Sequence, residues 1–142
     1  MVSRYLSKVS GPLLDRLDLH VEVPPVPFES LSEDNTAETS DVIRQRVNQA
    51  RQFQQERFRG KGFFSNSRIP SSMLSEICPL DDKAKEILKN TFDKLGMSAR
   101  AYDRLVKVAR TIADLDRSEV IRPKHILESI QFRSLDRKYW SS

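Results

Sequence analysis

The stretch that decides the fold is residues 98–115, SARAYDRLVKVARTIADL. Apolar side chains recur in it every three or four residues, which is the period of one face of an α-helix. A serine just before the first helical residue is well suited to cap it. The clearest helix of the chain is therefore expected at residues 99–115, with Ser98 as its cap. The repeating positions are Tyr102, Leu105, Val106, Ala109, Ile112 and Ala113.

Two further helices are expected beside this one. Asp81 or Asp82 precedes a segment whose apolar residues keep helical spacing, and Gly96 ends it, as glycine commonly does at a helix C-terminus. Pro123 stands where a first helical residue is expected, because proline is tolerated there. Short connections between amphipathic helices favour antiparallel packing. The sequence thus predicts a mainly α chain with a small helical bundle at residues 70–142.

Residues 17–23, LDLHVEV, alternate strictly between apolar and polar side chains, which is the period of a half-buried strand. The PPVP sequence at 24–27 prevents continuation of a central strand. No second alternating segment follows, and a single strand cannot satisfy its own backbone donors and acceptors. We therefore expect an orphan strand whose sheet lies upstream, in a longer protein of which this chain is the C-terminal portion.

A long basic helix is predicted between the strand and the bundle, within a connecting region at residues 28–69. Residues 40–59 contain few helix breakers, and Ile43, Val47, Ala50 and Phe53 form one apolar stripe. Residues 42–68 contain a single acid, Glu56, and many cations. The net charge of this segment therefore exceeds the whole-chain net charge of +4. Those cations are Arg44, Arg46, Arg51, Arg57, Arg59, Lys61 and Arg68.

Two explanations fit this run of cations. Clustered arginines bind nucleic-acid backbones, because neutralised phosphates release counterions. The DNA-contact candidates are then Arg44, Arg46, Arg51 and Arg57. The other explanation, which is the commoner use of a charge run, is a solvated helix that packs on the bundle or between subunits.

No motif for independent catalysis is present. The RGKG sequence at 59–62 has the wrong spacing for a phosphate-binding loop and follows a helix instead of opening one. His20 and His125 lack the neighbours of a metal site, and the single Cys78 has no disulfide partner. No apolar run approaches the roughly 20 residues of a membrane span, and no signal core follows Met1. We expect no metal, no membrane association and a cytoplasmic protein.

Two long stretches resemble the AAA+ ATPases of the Mg-chelatase-like ComM/YifB family. Residues 10–22, SGPLLDRLDLHVE, resemble the segment that follows sensor 1, and residues 98–115 look like the sensor 2 helix. QFR at 131–133 and LDR at 135–137 are similar to the closing helix of that family. The resemblance implies that residues 1–27 are the tail end of an αβ ATPase core, and that the bundle is a helical lid of the AAA+ type.

The resemblance implies a role for two arginines. Arg16 matches the arginine that reaches the γ-phosphate bound by a neighbouring subunit, where a fixed guanidinium stabilises charge during phosphoryl transfer. Arg100 matches the sensor 2 arginine, which contacts nucleotide in its own subunit. Without the resemblance, Arg16 is as well explained by an ion pair with Asp15 or Asp18. Arg100 is likewise explained as a solvated residue of a first helical turn.

At the level of the parent protein, the resemblance implies an ATPase that uses ATP and magnesium, whose Walker motifs lie upstream of this chain. Its partners would be the rest of the AAA+ core and the neighbouring subunits of a ring, expected to be a hexamer. The implied activity is DNA remodelling, namely branch migration during natural transformation. Two alternatives stay open: the lid of a magnesium-chelatase motor, and a non-catalytic helical module that binds DNA or a partner.

Overall fold

The computed structural model of the protein describes residues 8–32 and 37–133. The described chain is mainly helical, as predicted, and its backbone also makes two single 3-10 turns at Asn66–Arg68 and Ser71–Met73. The LDR motif at 135–137 and the C-terminal residues 134–142 lie outside the described residues. The α-helices are α1 (Gly11–Leu14), α2 (Phe28–Ser32), α3 (Ser40–Arg57), α4 (Leu74–Ile77), α5 (Asp82–Leu95), α6 (Ala99–Leu115) and α7 (Pro123–Gln131).

The ends of α5 and α6 confirm the predicted caps. The Asp81 carboxylate accepts the backbone N–H of Ala84 at 2.7 Å, and the Ser98 hydroxyl accepts that of Ala101 at 3.1 Å. Each side chain satisfies one of the donors that a helix N-terminus leaves without an intrahelical partner. Gly96 ends α5 with φ +55°, a left-handed conformation that glycine adopts without steric cost.

α7 begins at Pro123 as predicted, and a buried histidine fixes that end. The Nδ1 atom of His125 accepts the backbone N–H of Arg122 at 3.0 Å. The ring proton must therefore lie on Nε2, which donates to the carboxylate of Asp116 at 2.9 Å. Lys124 also contacts this carboxylate, at 2.5 Å. His20 and His125 thus sit in separate parts of the fold, and His125 has a structural role.

These contacts give Asp116 a pH-dependent contribution to stability. The hydrogen bonds from Lys124 and then His125 lower the pKa of Asp116 from 3.8 to about 2. A carboxylate whose pKa is lower in the folded state stabilises the fold above the unfolded pKa and loses that effect as the pH falls. We expect urea unfolding of the native chain to lose stability between about pH 4 and pH 2. Asp116→Asn should reduce this loss of stability at low pH, whereas Asp82→Asn, an exposed control on α5, should not. The same loss in Asp116→Asn as in the native chain would contradict this role of Asp116.

One hydrophobic core joins the bundle to the end of α3. α6 lies at its centre and contributes Leu105, Val106 and Ala109, while Phe58, just after α3, is fully buried against it. The loops before α5 and α7 also pair, because Ile121 donates its N–H to the carbonyl of Pro79 at 2.8 Å. The remaining core residues are Ile69, Leu74, Ile77, Cys78, Ala84, Leu88, Ala113, Ile121 and Ile126.

The structure does not confirm the predicted strand at residues 17–23. This segment forms neither helix nor strand, and within residues 8–32 and 37–133 strand-type pairing is limited to the isolated bridge between Leu80 and Ile121. The physical reason is that no described segment runs beside residues 17–23 as a strand and pairs with their backbone donors and acceptors. Its apolar residues stay exposed, from 46% at Leu17 to 83% at Val23.

α3 lies where the long basic helix was predicted, but its apolar stripe is not its buried face. Ile43, Val47 and Phe53 are 40–44% exposed, and among the stripe residues only Ala50 is buried. Gln54 is buried as well, at 5% exposure. The C-terminal half of α3 packs on α6. The N-terminal half extends beyond this contact, so its apolar side chains stay exposed.

Candidate functional site

Arg16 lies in the turn after α1, with its side chain exposed to solvent. Its backbone N–H donates to the carbonyl of Leu13 at 3.0 Å, which closes a single turn at the end of α1. The two acids that could pair with it are engaged elsewhere. Asp15 accepts the hydroxyl of Ser98 at 3.2 Å, and Asp18 pairs with Arg104. The alternative explanation of Arg16 as a local ion pair is therefore not what the structure shows.

Arg100 is the second residue of α6 and is also exposed. Within the described part of the chain its side chain makes no hydrogen bond or ion pair, and the same holds for Arg16. A cation in the first turn of a helix lies at the positive end of the helix dipole and is mildly unfavourable there. An anion next to Arg100 would remove that cost.

The segment after α1 is held against α6 and the end of α7. Asp15 contacts Ser98, the cap of α6, and Asp18 contacts Arg104 one turn after Arg100 on the same face of that helix. Arg16 stands between the two anchored aspartates. The structure thus places the segment that carries Arg16 along the face of α6 that carries Arg100.

Buried polar residues hold this arrangement in place. Arg133, at 3% exposure, donates to the carbonyl of Leu17 at 3.1 Å and lies 3.9 Å from Asp15. His20, at 4% exposure, donates its backbone N–H to the carbonyl of Phe132 at 2.7 Å. A cavity of about 370 Å³ remains where α1 meets the start of α6. The spacing of Arg104 and Arg133 in the sequence predicted no role for either residue, although Arg133 belongs to the QFR motif at 131–133.

The four DNA-contact candidates of α3 are not equivalent. Arg44 pairs with Asp41 at 2.8 Å, and Arg46 makes two hydrogen bonds, of 2.6 and 3.1 Å, to Glu38. Hydrogen bonding from Arg46 lowers the pKa of Glu38, which keeps that carboxylate ionised. Arg51 alone of the four has no side-chain partner among the residues that the structure describes.

Arg57 has a structural role that its spacing in the sequence did not reveal. It forms a double hydrogen bond with Asp114 of α6, whose side chain is 1% exposed, and so it is not a free cation for DNA. Asp114 also accepts from Arg110, which is fully buried, at 3.2 Å, and from Asn66 at 2.9 Å. Burial lowers the pKa of Arg110, and the charge of Asp114 opposes that shift. This network fastens α3 to α6.

The described residues offer no catalytic cysteine or metal cluster. Burial raises the pKa of the Cys78 thiol to about 11, so the thiolate that a nucleophile requires is absent near neutral pH. Across residues 8–32 and 37–133, no group of three or more His, Cys, Asp or Glu side chains could hold a metal ion. In the same part of the chain, no helix is long and apolar enough to cross a membrane.

Comparison with known families decides the affiliation. The family described as magnesium chelatase, subunit ChlI C-terminal, matches residues 37–133, and the family described as magnesium chelatase, subunit ChlI, matches residues 1–31. The chain belongs to the magnesium chelatase ChlI C-terminal family. The resemblance inferred from residues 10–22 and 98–115 is thereby confirmed at the level of the family.

Several members of this Mg-chelatase-like group are similar over most of the chain. Competence protein ComM of Haemophilus influenzae is 41% identical over 96% of the chain. The uncharacterized YifB proteins of Escherichia coli and Salmonella typhimurium are 40% and 37% identical over 94% of it. The chain spans about a quarter of the length of these relatives, namely 26% of each.

Proposed function

We propose that this chain is the C-terminal lid portion of a longer Mg-chelatase-like AAA+ ATPase, and that it contributes two arginines to ATP hydrolysis. Arg16 acts on the nucleotide of a neighbouring subunit, and Arg100 acts on the nucleotide of its own subunit. The observation that carries the proposal is that both guanidinium groups are exposed and lack a partner in the described chain, although nearby acids are paired with other residues.

The chemistry of phosphoryl transfer suits two such groups. Negative charge develops on the transferred phosphoryl group, and an arginine that is already positioned stabilises that charge without reorganisation. Asp15 and Asp18, on either side of Arg16, are tied to Ser98 and Arg104 of the lid. A change in lid position would therefore also move Arg16. In this proposal the parent supplies the sites for ATP and magnesium and forms a ring, expected to be a hexamer.

The first test concerns Arg100. In the complete parent protein, Arg100→Ala should weaken ATP binding about tenfold or more, because a hydrogen bond to a charged group contributes on the order of 1.5–3 kcal/mol. Arg122→Ala is the matched control, since Arg122 is an exposed arginine at the start of α7. Titration with a fluorescent ATP analogue measures both variants. Equal affinity in Arg100→Ala and the native parent would remove the sensor 2 assignment.

We further propose DNA remodelling as the work of the parent, specifically branch migration in natural transformation. The similarity to a protein named for competence supports this choice, as does the basic character of residues 42–68. ATP turnover of the parent should then rise when DNA is added.

A second candidate function is the lid of a magnesium-chelatase motor, which the description of the matched family favours. The two candidates differ in what stimulates ATP turnover of the parent. DNA should stimulate a remodelling motor, whereas a porphyrin together with its chelatase partner subunits should stimulate a chelatase motor. Stimulation by DNA alone would exclude the second candidate.

A further inference from the structure

A polar cleft lies between the middle of α3, the 3-10 turn at Asn66–Arg68 and α6. Its volume is about 350 Å³, and side chains that can donate hydrogen bonds come from all three elements. No acidic side chain is among its lining residues in the described chain. The lining consists of Val47, Ala50, Arg51, Gln54, Ser65, Asn66, Ser67, Thr111 and Leu115.

Two donors in the cleft have no partner in the described part of the chain. Arg51 is exposed, and its side chain makes no hydrogen bond or ion pair there. Gln54 is only 5% exposed, and its Oε1 accepts the backbone N–H of Asn66 at 3.4 Å. No described group accepts from the Nε2 of Gln54. This amide nitrogen can therefore donate to a ligand oxygen in the cleft.

The surroundings of the cleft are positively charged. Arg57 and Arg110 share the single carboxylate of Asp114 behind it, which leaves this group with a surplus of one positive charge. Lys107 lies beside the 3-10 turn at Asn66–Arg68, with its Nζ 3.4 Å from the carbonyl of Ser67. Arg68 follows Ser67 directly and is exposed. Clustered cations of this kind attract anions.

We propose that this cleft binds phosphate groups. Arg51 and Gln54 would donate to the phosphate oxygens, the hydroxyls of Ser65 and Ser67 line the same space, and Lys107 adds charge. The ligand source is either the backbone of a nucleic acid or a small free phosphate. A nucleic-acid ligand would extend the proposed function, and the choice of DNA as that ligand rests on the proposed function. Of the four arginines predicted to contact DNA, this site retains Arg51 alone.

The test uses the chain itself, without ATP, and two probes. Binding of a short labelled DNA duplex is measured by anisotropy at several salt concentrations, and binding of inorganic pyrophosphate by calorimetry. Arg51→Gln removes the exposed charge, and Gln54→Glu places a carboxylate in the cleft. Arg122→Gln is the matched control, because it removes an exposed arginine that lies outside the cleft and outside residues 42–68. Far-UV circular dichroism checks that each variant is folded.

We expect Arg51→Gln to weaken DNA binding about threefold and to reduce the salt dependence by about one phosphate contact. Gln54→Glu should weaken it further, and Arg122→Gln should have little effect. If the two cleft variants lose pyrophosphate but bind DNA normally, the site still holds phosphate and its source is a small molecule. If neither probe responds to the two cleft variants, or if Arg122→Gln has the same effect, the proposal is overturned.

These outcomes are separate from those of the ATPase assignment. The cleft experiment contains no nucleotide hydrolysis, and its variants leave Arg16 and Arg100 unchanged. Loss of the cleft proposal would leave the roles of those two arginines untouched. Conversely, if the parent showed no ATP turnover, the measured phosphate binding by the cleft would still stand.

Discussion

In the complete parent protein, Arg16→Ala is expected to reduce ATP turnover by about 10³-fold or more, while ATP binding stays largely intact. Arginines that reach a transferred phosphoryl group from a neighbouring subunit or partner have effects of roughly 10³- to 10⁵-fold on kcat. ATP binding should persist because the proposed site belongs to the neighbouring subunit and is complete apart from this side chain. Steady-state hydrolysis and equilibrium nucleotide binding provide the two measurements.

Two controls separate a direct role from loss of structure. Arg16→Lys keeps the charge but loses the planar pair of donors that matches a phosphate, so we expect most of the activity to be lost there too. Arg44→Ala removes an exposed arginine that is paired with Asp41, and it should retain turnover. Turnover within a few-fold of native in Arg16→Ala would show that this arginine is not the trans-acting group.

The second large effect concerns stability. Asp114→Ala should lower the free energy of unfolding by about 3–5 kcal/mol, because removing one partner of a buried ion pair leaves an uncompensated buried charge. Here the remaining charges are Arg57 and the fully buried Arg110. The Arg57 side chain is 21% exposed, whereas that of Arg110 is 1% exposed, so Arg110 in particular would be left in the core without the carboxylate that offsets its charge. Urea denaturation followed by circular dichroism measures the difference.

Asp41→Ala is the matched control for this change. Asp41 and Arg44 also form a pair, but their side chains are 80% and 68% exposed, and exposed pairs contribute about 0–1 kcal/mol. The double variant Arg57→Ala/Asp114→Ala should show clear coupling between the two positions. A loss below about 1 kcal/mol in Asp114→Ala would mean that the network does not fasten α3 to α6.

Local sequence patterns were sufficient for the bundle. The helices that begin after Asp81 and Ser98, and the one that begins at Pro123, lie where their caps and apolar spacing predict them. Each of these signals acts within one or two helical turns. For that reason the sequence alone could supply the fold class and most helix ends.

Contacts between distant residues could not be predicted in this way. Arg57 and Asp114 are separated by 57 positions, and nothing in the spacing of α3 distinguishes Arg57 from Arg51. The apolar stripe of α3 was predicted correctly as a pattern, but only its overlap with α6 decides which part is buried. The predicted strand was not formed because its hydrogen bonds need a second segment.

The residues of the candidate site could not be chosen from local patterns. Arg16 and Arg100 were named from the family resemblance, since the spacing alone allowed Asp15 or Asp18 to neutralise Arg16. The structure shows both aspartates bound to residues of α6 or its cap, 83 and 86 positions away. That arrangement depends on how α1 packs on the lid, which no local pattern encodes.

If Arg16 completes a nucleotide site in a different subunit, a mixture of two inactive variants of the parent should regain activity. Parent protein that carries Arg16→Ala is mixed with parent protein whose own nucleotide site has been inactivated, and ATP turnover is measured across mixing ratios. Each protein alone should be inactive. We expect mixing to restore turnover, because Arg16 of the inactivated subunits would complete the intact nucleotide sites of the Arg16→Ala subunits. Turnover that stays absent at every ratio, in rings shown to contain both proteins, would contradict it.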